Sequence, residues 1–211
     1  MFAPPVSRAA PRRAGPRRPD LPVPPRRPVR LAPMPSRSLH ALADRLRDVD
    51  DLMDAHAHVQ VAHAPHDPSY ELDGMNRAAI LMLSAHFEGY LEELMRESLA
   101  AIDPQLDADP LLRGFGNPWP NRIDELFSFL GMRRPSHAIC WEDVTSTHVR
   151  GRLEHMVRVR NQVAHGQIDV AIAKDDVTDL RRHVEGFARG MDATVHAHLT
   201  TLTGAEPWAA A

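Results

Sequence analysis

Cysteine, lysine and aromatic residues are all scarce in this chain of 211 residues. Cys140 is the only cysteine, so no internal disulfide can form and a reducing, cytoplasmic setting is expected. Lys174 is the only lysine, set against 24 arginines, a bias read as genome composition. Aromatics make up 5% of residues, which leaves Leu, Val, Ala and Met to fill most of a core. The longest unbroken apolar run, Ala78 to Leu83, falls far short of the roughly 20 residues a membrane span needs. The N-terminus has no apolar segment of the kind a secretory signal carries, so no membrane or export role is expected. Phosphate-binding glycine loops, internal repeats and sustained strand alternation are also missing.

What is present divides unevenly. Residues 1–37 hold eleven prolines and nine arginines against a single acid, Asp20, a net charge of +8. The remaining chain carries 16 basic and 27 acidic residues, a net charge of −11. The first stretch has almost nothing to pack and is expected to be a disordered or extended tail. Text of this kind is what GC-rich upstream DNA yields on translation, which places the expected start near Met34. The other reading is a nucleic-acid-binding arm or docking peptide. An acidic body argues against broad binding to phosphate backbones, so any nucleic-acid contact must be local.

From Ser38 onward the pattern is helical. Leu39, Leu42, Leu46, Val49 and Met53 mark one apolar stripe. Ser38 is the expected cap of this helix, which should run to about His63, before Pro65 and Pro68 break the chain. A second helix is expected from Asp73 to about Ala101, with Ile80, Leu83, Phe87, Leu91 and Leu94 in register. Tyr90, Met82 and Met95 widen its apolar face, as expected of a central element. Residues 104–120 read as loop, Asn121–Leu130 as a short helix stopped by Gly131, and residues 132–145 as irregular. Ser146 or Thr147 should cap a helix ending near His165 and closed by Gly166. A short connector, 167–173, reads as loop or extended chain. Asp175 or Asp176 should then cap a last helix ending by Gly204. Residues 38–203 are thus expected to form an all-α, up-and-down bundle of four to five helices, with 204–211 disordered.

The helix from 146 carries the most informative chemistry. Val149, Leu153, Met156, Arg160 and Val163 recur at helical spacing, so Arg160 sits in register with an apolar stripe. An arginine there is costly unless it is paired or meets a partner or substrate. Asn161 and His165 lie four apart and stack on one face. At about 100° per residue, Arg160 and His165 lie about 140° apart, so one helix does not converge them on one atom. Copies joined across a two-fold axis would. Histidine exchanges protons near neutral pH, and the arginine fork matches phosphate. The plainer reading makes Arg160 a salt-bridge partner of an acid such as Glu88 and His165 a cap of the helix C-terminus.

The segment Arg-Asn-Gln-Val-Ala-His-Gly at 160–166 resembles the signature of the HEPN superfamily, an arginine with a histidine four to six intervening residues later. Residues 77–99, with the aromatic–Glu pair Phe87-Glu88, are similar to the second helix of its ribonuclease-LS-type group, and residues 180–199 to the last helix. The resemblance covers about residues 38–203. It implies a HEPN-like bundle that forms a homodimer and places two such motifs in one cleft. In catalytic members it implies metal-independent cleavage of RNA, a toxin or antiphage-defence role and a possible cognate antitoxin protein. His165 would be the acid or base, Arg160 would hold the phosphate, Asn161 would position one of them and Glu88 would orient Arg160. The alternative is a non-catalytic HEPN module that binds RNA or a partner protein. No cofactor or metal is implied.

Other features carry less. His56, His58, His63 and His66 cluster, but no carboxylate or cysteine pattern completes a metal site. Cys140 is expected to be a buried structural thiol. Met82, Met95 and Met156 lie on apolar stripes and are expected in the core.

Overall fold

Apolar residues at helical spacing leave one economical solution, in which each stripe is covered by another helix. The computed structural model describes residues 34–63, 72–167 and 169–208, all within one compact unit, Pro33–Ala211. Its helices are α1 (Arg37–His63), α2 (Asp73–Ile102), α3 (Asp109–Leu112), α4 (Pro120–Ser128), α5 (Ser146–Ala164) and α6 (Lys174–Thr203). A single 3-10 turn spans Pro135–Ala138, and the only ladder pairing among the described residues is an isolated bridge between Trp141 and Val144. The chain is an all-α bundle.

Cross-helix contacts fix the directions. Ser38, Arg45 and Asp48 of α1 meet Glu97, Glu93 and His86 of α2, so the two run antiparallel. His148 and Arg152 of α5 meet His183 and Asp179 of α6, again antiparallel. Tyr90 donates its hydroxyl to the Ala188 carbonyl at 2.8 Å, while Asn76 reaches Ile172, so α2 and α6 run parallel. The four long helices therefore alternate in direction along the chain, as an up-and-down bundle requires.

Helix α2 is central, packing against α1, α5 and α6. Ile80, Leu83, Phe87, Tyr90, Leu91, Leu94 and Met95 are all fully buried. Phe87 meets Phe187 of α6 edge to face, with ring centroids 5.6 Å apart, a geometry contributing about 0.5–1.5 kcal/mol beyond burial. Met95 and Met156 lie in the core, and Met82 packs against it half-buried. Trp141 and Ile139 close the α6 side. A Cβ placed on Gly186 would lie 2.8 Å from the Trp141 ring, and one on Gly190 would lie 2.7 Å from Ile139. Only glycine admits those side chains so close to the helix backbone.

Several local expectations are corrected. The α1 cap is Ser36, not Ser38: its hydroxyl accepts the Leu39 N–H at 3.0 Å. Asp192 of α6 and Glu97 of α2 supply the rest, accepting from the backbone of Ser36 and of Arg37 and Ser38 respectively. The α5 cap is Thr145, which accepts from His148 at 3.3 Å, one residue before the expected Ser146 or Thr147. Ala173 precedes α6, so Asp175 and Asp176 fall inside its first turn, where they favour the positive end of the dipole. Helix α3 lies within the stretch read as loop. The connector before α6 forms no strand among its described residues. Cys140 is exposed, because its neighbour Ile139 takes the buried position. Residues 204–208 fold back on α6, where Glu206 bonds His196 and the Trp208 ring lies 6.3 Å from the His196 ring. The tail through residue 33 lies outside the described residues, as does His66.

Candidate functional site

Helix α5 ends with its C-cap at His165 and with Gly166 at φ 79°, a left-handed conformation that glycine adopts without steric cost. The His165 backbone N–H bonds the Asn161 carbonyl at 3.0 Å. Its side chain is exposed and forms no hydrogen bond or ion pair among the described residues. The imidazole is thus presented to solvent at the last turn of α5.

One turn earlier, Arg160 is half-buried. Its Nη1 donates to Asn161 Oδ1 at 3.1 Å and to Asn117 Oδ1 at 3.1 Å. Asn117 sits in the loop between α3 and α4 with φ 53°, left-handed, a region asparagine tolerates better than most residues. The Asn117 backbone N–H in turn donates to Glu88 Oε2 at 3.0 Å, and its carbonyl accepts from the Trp119 N–H at 2.6 Å. Glu88, Asn117, Arg160 and Asn161 therefore form one hydrogen-bonded chain linking α2, the α3–α4 loop and α5. Glu88 and Arg160 do not pair directly: Asn117 lies between them, and Glu88 acts on the arginine only through it.

The arginines around the bundle show what is unusual here. Half-buried Arg45, Arg77, Arg150, Arg152 and Arg181 each have a carboxylate partner. Arg160 is equally half-buried, but among the described residues it is held only by two neutral amide oxygens. Among the described residues its charge has no carboxylate partner, and only one of its terminal nitrogens is engaged. A guanidinium in this state is suited to an incoming anion, above all a phosphate that accepts two parallel bonds.

Of the residues singled out from sequence, Arg160 and Asn161 are in direct contact, Glu88 joins them through Asn117, and His165 stands one turn along α5 from Asn161. Asn117 was not foreseen. Its place in Gly-Phe-Gly-Asn-Pro marks a turn, yet nothing local ties that turn to a residue 43 positions away. Among the described residues, no group of three or more His, Cys, Asp or Glu side chains is placed to hold a metal, and no helix is long and apolar enough to cross a membrane. No protein-family model, curated protein or solved structure matches the chain, so its functional reading rests on these residues.

Proposed function

We propose that the chain is a metal-independent endoribonuclease of the HEPN type, serving as a toxin or defence factor and acting as a homodimer whose cleft takes one motif from each copy. The observation that carries this reading is the half-buried Arg160, with no carboxylate partner among the described residues, followed at the end of the same helix by an exposed His165 that has no side-chain partner among them. In the proposed reaction the RNA 2′-oxygen attacks the adjacent phosphorus and gives up its proton. The P–O5′ bond breaks, and the departing 5′-oxygen takes a proton. The products are a 2′,3′-cyclic phosphate and a 5′-hydroxyl. His165 carries one of these proton transfers, and Arg160 holds the non-bridging oxygens as their charge grows. Asn161 and Asn117 fix the guanidinium, and Glu88 fixes Asn117. About 140° of helix separates Arg160 from His165, which is why a second copy enters the proposal.

The second reading, a non-catalytic HEPN module binding RNA or a partner protein such as an antitoxin, is favoured by the net charge of −11 outside residues 1–37. Incubating purified protein with mixed RNA in EDTA and analysing the ends separates the two. Cyclic phosphate ends that vanish in His165→Ala support the enzyme. Cleavage unchanged in that variant rules out the mechanism proposed, and cleavage absent from protein freed of any co-purifying partner supports the module.

A further inference from the structure

At one end of the bundle the starts of α2 and α6 meet the last turns of α1 around a cavity of about 280 Å³. Small-molecule pockets occupy about 300–1,000 Å³, so this one suits a compact metabolite. Exposed Gln60 and Ala173 among its lining residues leave it open to solvent.

Two side chains in its wall are almost fully buried yet incompletely satisfied. Among the described residues, His56 is 3% exposed and its Nδ1 has no partner, and Asn76 is 4% exposed and its Oδ1 has none. Such atoms are costly when left unpaired, so their retention beside a cavity points to something that fills it. The Asn76 amide is fixed in orientation, because its Nδ2 donates to the Ile172 carbonyl at 2.7 Å. Its Oδ1 therefore asks the occupant for a donor. Burial, and then the Lys174 ammonium, hold the His56 imidazole below its usual range.

The wall also has two electrical sides. Lys174, the only lysine in the chain, supplies a cation. Helices α2 and α6 both begin here with no side-chain cap among the described residues, so their first N–H groups and their dipoles favour negative charge. Asp73, together with Asn76 Oδ1, supplies the opposite character, with Arg77 3.7 Å from the Asp73 carboxylate. A simple anion would face Asp73 and an acceptor oxygen, and a simple cation would face Lys174. We propose that this cavity binds a small zwitterion of the α-amino-acid type, its carboxylate on Lys174 and the helix starts, its ammonium on Asn76 Oδ1 and Asp73. The site shares no residue with the Arg160–His165 constellation and stands or falls apart from it.

The test uses the full chain. The twenty common L-amino acids are screened singly by thermal shift, and hits are titrated by calorimetry beside the matched amine lacking the carboxylate and the matched acid lacking the ammonium. At least one amino acid should bind with a Kd below about 1 mM. Removing either charge should weaken binding about tenfold or more, as should Lys174→Gln, whose half-buried site at a helix start spares the core. His165→Ala should bind as the parent does. The proposal is overturned if no amino acid binds at about 10 mM, if the deaminated acid binds as well as its parent, or if Lys174→Gln leaves the affinity unchanged.

Discussion

Arg160 and Glu88 are joined without touching: Arg160 Nη1 donates to the Asn117 side chain at 3.1 Å, and the Asn117 backbone donates to Glu88 at 3.0 Å. A carboxylate in direct contact would neutralise the guanidinium and compete with any incoming phosphate. The interposed amide holds the arginine in place and leaves its charge available.

Replacing Asn117 by glycine keeps the left-handed backbone and the bond to Glu88 while deleting the contact to Arg160. Stability should fall by no more than about 1 kcal/mol in chemical denaturation, the ordinary worth of one hydrogen bond. RNA cleavage should fall about tenfold, because the guanidinium loses one of its two anchors. Unchanged cleavage would show that Asn161 alone suffices.

His165→Ala should lower cleavage roughly 10²-fold or more at unchanged melting temperature, since the side chain is exposed and makes no described contact. Arg160→Lys should cost a comparable factor, because an ammonium cannot reproduce the bidentate fork. Activity persisting in Arg160→Lys would reduce that residue to a simple charge.

If two motifs share one cleft, the protein must associate. Sedimentation or light scattering should give about twice the 23.6 kDa chain mass, and mixing His165→Ala with Arg160→Lys subunits should alter activity relative to either alone. A monomer at all concentrations would leave the composite site without support.

Buried Asp192 offers a pH test. Burial raises its carboxyl above the ordinary aspartate range, opposed by bonds from Ser36 and by the nearby His196 and His40. Burial also raises Glu97, at the same end of α1. A raised folded value means the contribution is present at low pH and is lost as pH rises through it. Asp192→Asn should therefore gain stability relative to the parent as pH climbs from about 4 towards 7, followed by denaturant midpoint. A gap that shrinks over that range would reverse the sign argued here.

Gly186→Ala would push a methyl group into the Trp141 ring, 2.8 Å away. Overpacking costs about 1–3 kcal/mol, and the better helix propensity of alanine returns about 1 kcal/mol. A net loss near 1 kcal/mol in thermal unfolding is expected, and a gain would mean the ring shifts freely.

Much of this architecture is legible from residue spacing alone. The stripes on α1, α2, α5 and α6 run in strict helical register, and their ends coincide with Asp103, Gly166 and Gly204, which stop helices for local reasons. The caps were misplaced because competing hydroxyls and carboxylates lie side by side in sequence and only geometry chooses Ser36 or Thr145 among them. The stretch 139–144 has no period, so nothing in its sequence shows that Ile139 and not Cys140 faces the glycines of α6. The pairing of Arg160 with Asn117 depends on how an irregular loop folds over α5, information that is nowhere local.

Trp119 follows that loop's asparagine by two positions and donates its backbone N–H to the Asn117 carbonyl at 2.6 Å, with its indole packed half-buried against the core. On the proposed reading, an anion bound at Arg160 would act on Asn117 and hence on the peptide that carries this indole. The protein then holds a native fluorophore close to the guanidinium that takes the phosphate, and its emission, summed with that of Trp141 and Trp208, should change on titration with oligonucleotides or simple phosphate.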